Sequence, residues 1–184
     1  MGLVAEDGTK GLKMKRAEPT ENGLMRIAAG SDEKSELTDA LVAELEKRGH
    51  EVVAFGPVAG QEESDWPLVC GWVAEAVAAG EADEGIVCCW TGTGASIAAN
   101  KVPGVRAALV NDAQTARGAR IWNHANVLAL SLRATPIPIM HEILDAWFNT
   151  SASEGEAQSA WNQQQIDRIR QLEEKYRHED GGRA

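Results

Sequence analysis

The sequence predicts a three-layer α/β fold: a five-stranded parallel sheet, helices on both faces, and one extra helix at the C-terminal end. Three observations predict it. Short apolar runs of strand length alternate five times with segments whose apolar residues recur at helical spacing. The most apolar run, Gly85-Ile86-Val87-Cys88-Cys89, passes through Gly92-Thr93-Gly94 into a helical segment, the strand–turn–helix join of a buried parallel strand. A long periodic segment follows the fifth strand, after the sheet is complete.

Taken in order, 1–23 lacks hydrophobic period and reads as a disordered N-terminal extension. Leu24 to Gly30 is the first strand. Ser31-Asp32 caps a helix with Leu37, Leu41 and Leu45 on one face, and Gly49 stops it. Glu51 to Phe55 is the second strand, and Gly56 to Ser64 a loop. Asp65-Trp66-Pro67 opens the next helix, with proline in the first turn and Val69, Val73 and Val77 along one face. After the third strand and the glycine turn, a helix runs from Ala95 to Lys101. Val105 to Val110 is the fourth strand, and Asn111-Asp112 caps a helix ending near Ile121. Asn126 to Leu130 is the fifth strand. A helix from Pro136 to Phe148 turns Ile139, Ile143, Leu144 and Trp147 inward. The α/β domain spans 24–150. The segment 151–184 carries the last helix, whose Trp161, Ile166, Ile169, Leu172 and Tyr176 form an apolar stripe with little core left to cover, so it is expected at a subunit interface.

A net charge of −10 over 184 residues argues against nucleic acid and against anionic membranes. No run is long enough to span a bilayer and the start has no apolar signal core, so a cytoplasmic protein is expected. Three cysteines, Cys70, Cys88 and Cys89, two of them adjacent, do not make a disulfide framework, and no metal-ligand spacing is present. No metal and no cofactor are expected.

Ligands of such sheets sit at the carboxyl ends of the strands. Those ends carry Ser31-Asp32-Glu33, Cys89 to Ser96, Asn111-Asp112 and Leu130 to Arg133. The glycine turn lacks the lysine of a Walker loop and the third glycine of a dinucleotide fingerprint. Two readings of it stand side by side: an oxyanion site of backbone N–H groups at a helix start, or only a tight turn. Cys89 ends its strand beside the turn, where a thiol is set up to work as base or nucleophile. Cys88 points to the other face and reads as a small hydrophobe.

The run Cys89-x-Thr91-Gly92-x-Gly94-x-Ser96-Ile97-Ala98-Ala99-Asn100-Lys101 resembles the ribose-5-phosphate isomerase B and galactose-6-phosphate isomerase family. Asp32, Asp65-x-Pro67, Gly104-Val105-Arg106-Ala107-Ala108, Ala116-Arg117 and Asn126-Val127-Leu128-Ala129 with Arg133 support the resemblance, which runs from about Leu24 to Thr150. It implies a Rossmann-like fold and an aldose–ketose isomerase that works through a cis-enediolate without metal, as a homodimer or homotetramer on a carbohydrate. It implies Cys89 as the base, Thr91 and the N–H groups of Gly92, Thr93, Gly94 and Ser96 as the enediolate hole, and Asp32, Asn123 and Arg133 as substrate-binding residues.

The departures matter equally. Against the family's pattern, Glu33 replaces a histidine, Trp122 replaces the ring-opening histidine, Trp90 replaces the glycine after the base, Trp66 replaces a tyrosine, and Gly155-Glu156-Ala157-Gln158 replaces a segment that supplies phosphate-binding arginine. Glutamate repels a phosphate dianion, whereas indoles offer faces on which sugar C–H groups stack. The site is therefore expected to have an altered substrate range relative to ribose 5-phosphate, with Glu33, Trp66, Trp90 and Trp122 lining it, or the tryptophans only fill space. If Trp122-Asn123-His124 is extended, His124 points the same way as Trp122 and is the candidate replacement acid. The competing function is a sugar- or metabolite-binding protein that keeps the fold without turnover. A flavin-binding reading rests on fold analogy alone.

Overall fold

The computed structural model describes residues 24–152 and 155–177. Five strands, β1 (Arg26–Ser31), β2 (Glu51–Phe55), β3 (Glu84–Cys89), β4 (Ala107–Leu109) and β5 (Val127–Ser131), form one sheet in the order β2-β1-β3-β5-β4. Every pairing is parallel. Six helices accompany them: α1 (Glu36–Lys47), α2 (Trp66–Ala78), α3 (Thr93–Ala99), α4 (Ala113–Asn123), α5 (Ile137–Phe148) and α6 (Ala160–Arg177). Short 3-10 turns occupy Gly56–Ala59 and Gly155–Gln158. The sheet class and the extra helix match the sequence expectation. The extension 1–23 and His178 lie outside the described residues.

The strand period of two divides the core. Ile27, Ile86, Cys88, Leu128 and Leu130 face α1, α4 and α5. Ala28, Val87, Cys89, Val127 and Ala129 face α2 and α3. Adjacent Cys88 and Cys89 thus belong to different layers. Close approach of α2 needs glycines on the sheet: a Cβ at Gly30 or Gly85 would come within 2.7 or 2.9 Å of Val73.

Several boundaries differ from expectation. α1 is capped by Ser35, not by Ser31-Asp32. The Ser35 hydroxyl accepts from Thr38 N–H and Thr38 reciprocates, a capping box. Ser31 is instead the buried last residue of β1. β4 keeps only three of its expected six residues. In α5 Met140 is buried along with the expected Ile143, Leu144 and Trp147, and Ile139 is only partly covered. His50 closes the amino end of β1, because its Nδ1 accepts from Met25 N–H and its ring packs on Phe148 at 4.6 Å.

A buried ion pair ties the amino edge together. Arg120 of α4 pairs with Glu84 of β3, both nearly enclosed, and Trp147 of α5 donates its indole N–H to the same carboxylate. The Arg120 guanidinium lies 4.9 Å from the Trp147 ring and donates to the carbonyls of Ala125 (2.6 Å) and Thr150 (3.3 Å). α6 covers α4 through Ile166 and through Asn162, whose amide donates to Ile121 and Glu156 carbonyls. Its other apolar residues stay out: Trp161 is 63% exposed, Leu172 56% and Tyr176 57%. No helix among the described residues is long and apolar enough to cross a membrane.

Candidate active site

Strand order and helix placement locate the crevice. After β1 the chain enters α1 on one face of the sheet; after the neighbouring β3 it enters α3 on the other. The two connections part at the carboxyl ends of β1 and β3, which is the switch point where α/β sheets bind ligands. Asp32-Glu33 leave from one strand and Cys89 to Thr93 from the other.

The loop after Cys89 is fixed by its backbone. Gly92 caps α3 at φ +73, a left-handed conformation, and donates its N–H to the Cys89 carbonyl at 3.2 Å. A Cβ there would meet Leu109 Cδ1 at 2.6 Å and the Leu130 carbonyl carbon at 2.9 Å, so only glycine fits. α3 then aims its first amides into the crevice. Ala95 N–H donates to Cys89 Sγ at 3.4 Å. Thr93 and Gly94 precede it, and among the described residues no acceptor meets their N–H groups. The Thr91 and Thr93 hydroxyls lie 2.6 Å apart at the mouth. The result is a nearly buried thiol with open N–H donors and a hydroxyl pair beside it.

β5 braces the other side. Cys89 lies beside Ser131 in the sheet, and the Ser131 hydroxyl donates to the Trp90 carbonyl at 3.0 Å. Leu132 N–H donates to Cys89 O and Arg133 N–H to Trp90 O, at 3.0 and 3.1 Å. Arg133 is thus held one strand from the thiol. Sequence reasoning passed over Ser131, although a hydroxyl at the end of a buried strand is the signal for such a brace. The Trp66 ring lies on Gly94, where a Cβ would come within 3.1 Å of it, and is 41% exposed; Trp90 is 60% exposed.

Burial pushes the Asp32 carboxyl up, and the charge of Glu33 adds to it, against backbone and Ser31 hydrogen bonds. Burial also pushes the Cys70 thiol up to about 12, with the Cys89 and Asp32 charges contributing, so Cys70 is a protonated core residue behind the site. Cys88, fully buried, is pushed up as well.

Not every expected residue joins this group. Ser96 gives its hydroxyl proton to the Ala107 carbonyl at 3.2 Å and its N–H to Gly92 O, so both donors are spent inside the fold. Trp122, Asn123 and His124 lie elsewhere within the chain. α4 runs back against the strands, so its last turn reaches the amino edge of the sheet, opposite Cys89. The extended segment expected there is helix through Asn123, with His124 as a left-handed cap at φ +46. The His124 ring bonds to the Ala157 carbonyl at 2.8 Å. Trp122 folds over Gly118, where a Cβ would meet it at 2.8 Å, and donates to Glu156 at 3.3 Å. It remains 51% exposed. Among the described residues no group of histidine, cysteine or acidic side chains could hold a metal ion.

Fold and site together define a class: parallel α/β proteins with a thiol beside an open amide cradle at the switch point. Residues 27–167 match the Ribose/Galactose Isomerase family. The chain is 37% identical over 153 residues to ribose-5-phosphate isomerase B of Escherichia coli, covering 83% of this chain and 99% of that one. It is 43% identical over 103 residues to the galactose-6-phosphate isomerase subunit LacB of Clostridium acetobutylicum, covering 56% and 59%. The solved ribose-5-phosphate isomerase B of Clostridium thermocellum superposes with a TM-score of 0.73 at 41% identity, covering 83% and 99%. The chain belongs to the ribose/galactose isomerase family.

Proposed function

We propose that this chain is an aldose–ketose isomerase acting on a sugar or sugar phosphate. The observation that carries this reading is the Cys89 sulfur seated on the Ala95 N–H, with the free Thr93 and Gly94 amides beside it. Carbonyl isomerisation needs those two parts. A base removes the proton from the carbon next to the carbonyl, and fixed donors hold the oxyanion that develops; the second term is often the larger. Cys89 takes the proton from C2 and returns it to C1. Thr91 and the loop amides hold the cis-enediolate. Asp32 takes hydroxyl hydrogen bonds, the indoles of Trp66 and Trp90 give flat walls to the C–H faces, and Arg133 meets the far end.

A second copy completes the assembly in this reading. The exposed residues of α6 need cover, and a homodimer would carry Trp122 and Asn123 from one copy's amino edge towards the other's crevice. We place the protein in the cytoplasm. Relatives named for ribose 5-phosphate and for galactose 6-phosphate support a family in which the scaffold outlasts changes of sugar.

The test is deuterium incorporation from heavy water, followed by proton NMR over a panel of four- to six-carbon sugars and their phosphates. Exchange next to the carbonyl, abolished in Cys89→Ala with sugar affinity kept, is expected. Binding without exchange in the native protein would instead establish a sugar-binding protein.

A further inference from the structure

We infer that Asn100 is a positioning residue for the isomerisation: its carboxamide latches the end of α3 to β4 and thereby sets the Ala95 N–H on the Cys89 sulfur. This inference rests on the isomerase reading above. Asn100 belongs to the run that continues from Cys89 through the glycine turn. It sits at the far end of α3 from the thiol, as the C-cap of that helix.

Both polar atoms of its side chain are used. Oδ1 accepts from the Ala107 N–H at 2.9 Å. Nδ2 donates to the Ala107 carbonyl at 2.8 Å and to the Ser96 carbonyl at 2.9 Å. The carboxamide orientation follows from these partners, one a donor and two acceptors. One side chain therefore takes both backbone groups of a single strand residue, as a neighbouring strand would. β4 is the last strand of the sheet, with β5 on one side only, so the pairing covers part of its open edge. The Ser96 hydroxyl adds a bond to the same Ala107 carbonyl at 3.2 Å.

Packing alone does not fix α3. The helix has seven residues, about 10 Å of length. Its buried residues are Ala95 and Ala99, and its one large apolar side chain, Ile97, is 59% exposed. Two methyl groups bury little apolar area and give no knob that stops the helix from tilting. At its start Gly92 is wedged against Leu109 and the Leu130 backbone. At its end Asn100 is the tie. Ala95 lies between the two, and its N–H reaches Cys89 Sγ at 3.4 Å.

The tie refers that donor to the same frame as the thiol. β4 is bound to β5, where Val110 N–H donates to the Ala129 carbonyl at 3.1 Å. β5 is bound to Cys89 itself, through Leu132 N–H on the Cys89 carbonyl at 3.0 Å. The path from sulfur to Ala95, along α3 to Asn100, across β4 and β5 and back to Cys89 is closed. Without the carboxamide it opens at one point, and α3 can pivot on Gly92 and carry the Ala95 N–H off the sulfur.

The test compares the native protein with Asn100→Ala, Asn100→Ser and Ser35→Ala. Serine is too short to span Ser96 and Ala107. Ser35→Ala is the control, because it removes the cap of α1 in the other layer. Two quantities are read: hydrogen exchange of the Ala95 amide by NMR, and kcat and KM for deuterium incorporation into whichever sugar of the panel above responds. In both Asn100 variants the Ala95 amide should exchange at least about tenfold faster. Their kcat should fall roughly ten- to a hundredfold, with KM within about twofold of native. Ser35→Ala should lower the unfolding midpoint and leave both readouts at native values. Native Ala95 exchange in the Asn100 variants overturns the inference, as does a native kcat despite faster exchange. A raised KM at native kcat would make Asn100 a sugar contact, and an equal kcat loss in Ser35→Ala would make it general support; either overturns the positioning role. If the native protein labels no sugar, the isomerase reading fails, and the Ala95 amide still decides whether Asn100 holds the contact.

Discussion

Gly92→Ala separates backbone strain from steric exclusion at the loop that carries the proposed chemistry. Gly92 and Gly104 both hold left-handed backbone, at φ +73 and +85. A Cβ at Gly104 meets nothing within 4 Å, whereas one at Gly92 meets Leu109 Cδ1 at 2.6 Å and the Leu130 carbonyl carbon and oxygen at 2.9 and 3.0 Å. Alanine in this conformation costs about 1–2 kcal/mol, offset by about 0.4–1 kcal/mol from the stiffer unfolded chain. Gly104→Ala should therefore lose between about 0 and about 1.6 kcal/mol. Gly92→Ala bears the same cost and adds overpacking of about 1–3 kcal/mol, since the Leu130 backbone cannot rotate away as a side chain could. Urea unfolding of both variants reads the difference directly. Relief of the clash also lifts the loop from Cys89, and misplacement of roughly 1 Å costs about a hundredfold in rate. Deuterium exchange should fall at least about tenfold in Gly92→Ala and hold in Gly104→Ala. Equal stability loss in the two variants, within about 0.5 kcal/mol, would refute the reasoning.

Three further outcomes follow from the structure. Arg120→Ala leaves Glu84 buried without its partner and should cost about 3–5 kcal/mol in urea unfolding, whereas replacing both with leucine should cost much less; equal losses would show that the pair is not what holds the amino edge. Asp112→Ala removes the cap whose carboxylate accepts from Thr115 N–H and hydroxyl at 2.7 Å each, and should cost about 1 kcal/mol; an unchanged unfolding midpoint would deny the cap its role. Leu172→Glu, on the exposed face of α6, should halve the particle mass seen by light scattering while leaving secondary structure intact; an unchanged mass would remove α6 from the proposed interface.

The α/β order was legible because each layer wrote its own period: two in β3, where Cys88 and Cys89 face opposite cores, and helical in α1 and α2. Cys89 beside the glycine turn was legible because strand, turn and helix start are contiguous in the chain. What escaped lay where distant residues decide. Two serines precede the apolar face of α1, and only Ser35 has a partner, Thr38, placed to complete a capping box, so the cap moved. Ser96 looked like one more loop donor until β4 brought the Ala107 carbonyl to its hydroxyl.

Trp122 shows the limit most clearly. A short polar segment between a helix and a strand invites an extended reading, and alternation would then set His124 beside Trp122. The helix persists instead because long-range partners hold its last turn. Gly118 makes room for the indole, Asn162 takes the Ile121 carbonyl, Arg106 donates to the His124 carbonyl at 2.9 Å, and Ala157 takes the His124 ring. Each partner comes from elsewhere in the chain or from the preceding helical turn. The consequence is chemical. The histidine nearest the expected acid position is spent on a carbonyl, and the exposed group on that turn is an aromatic face.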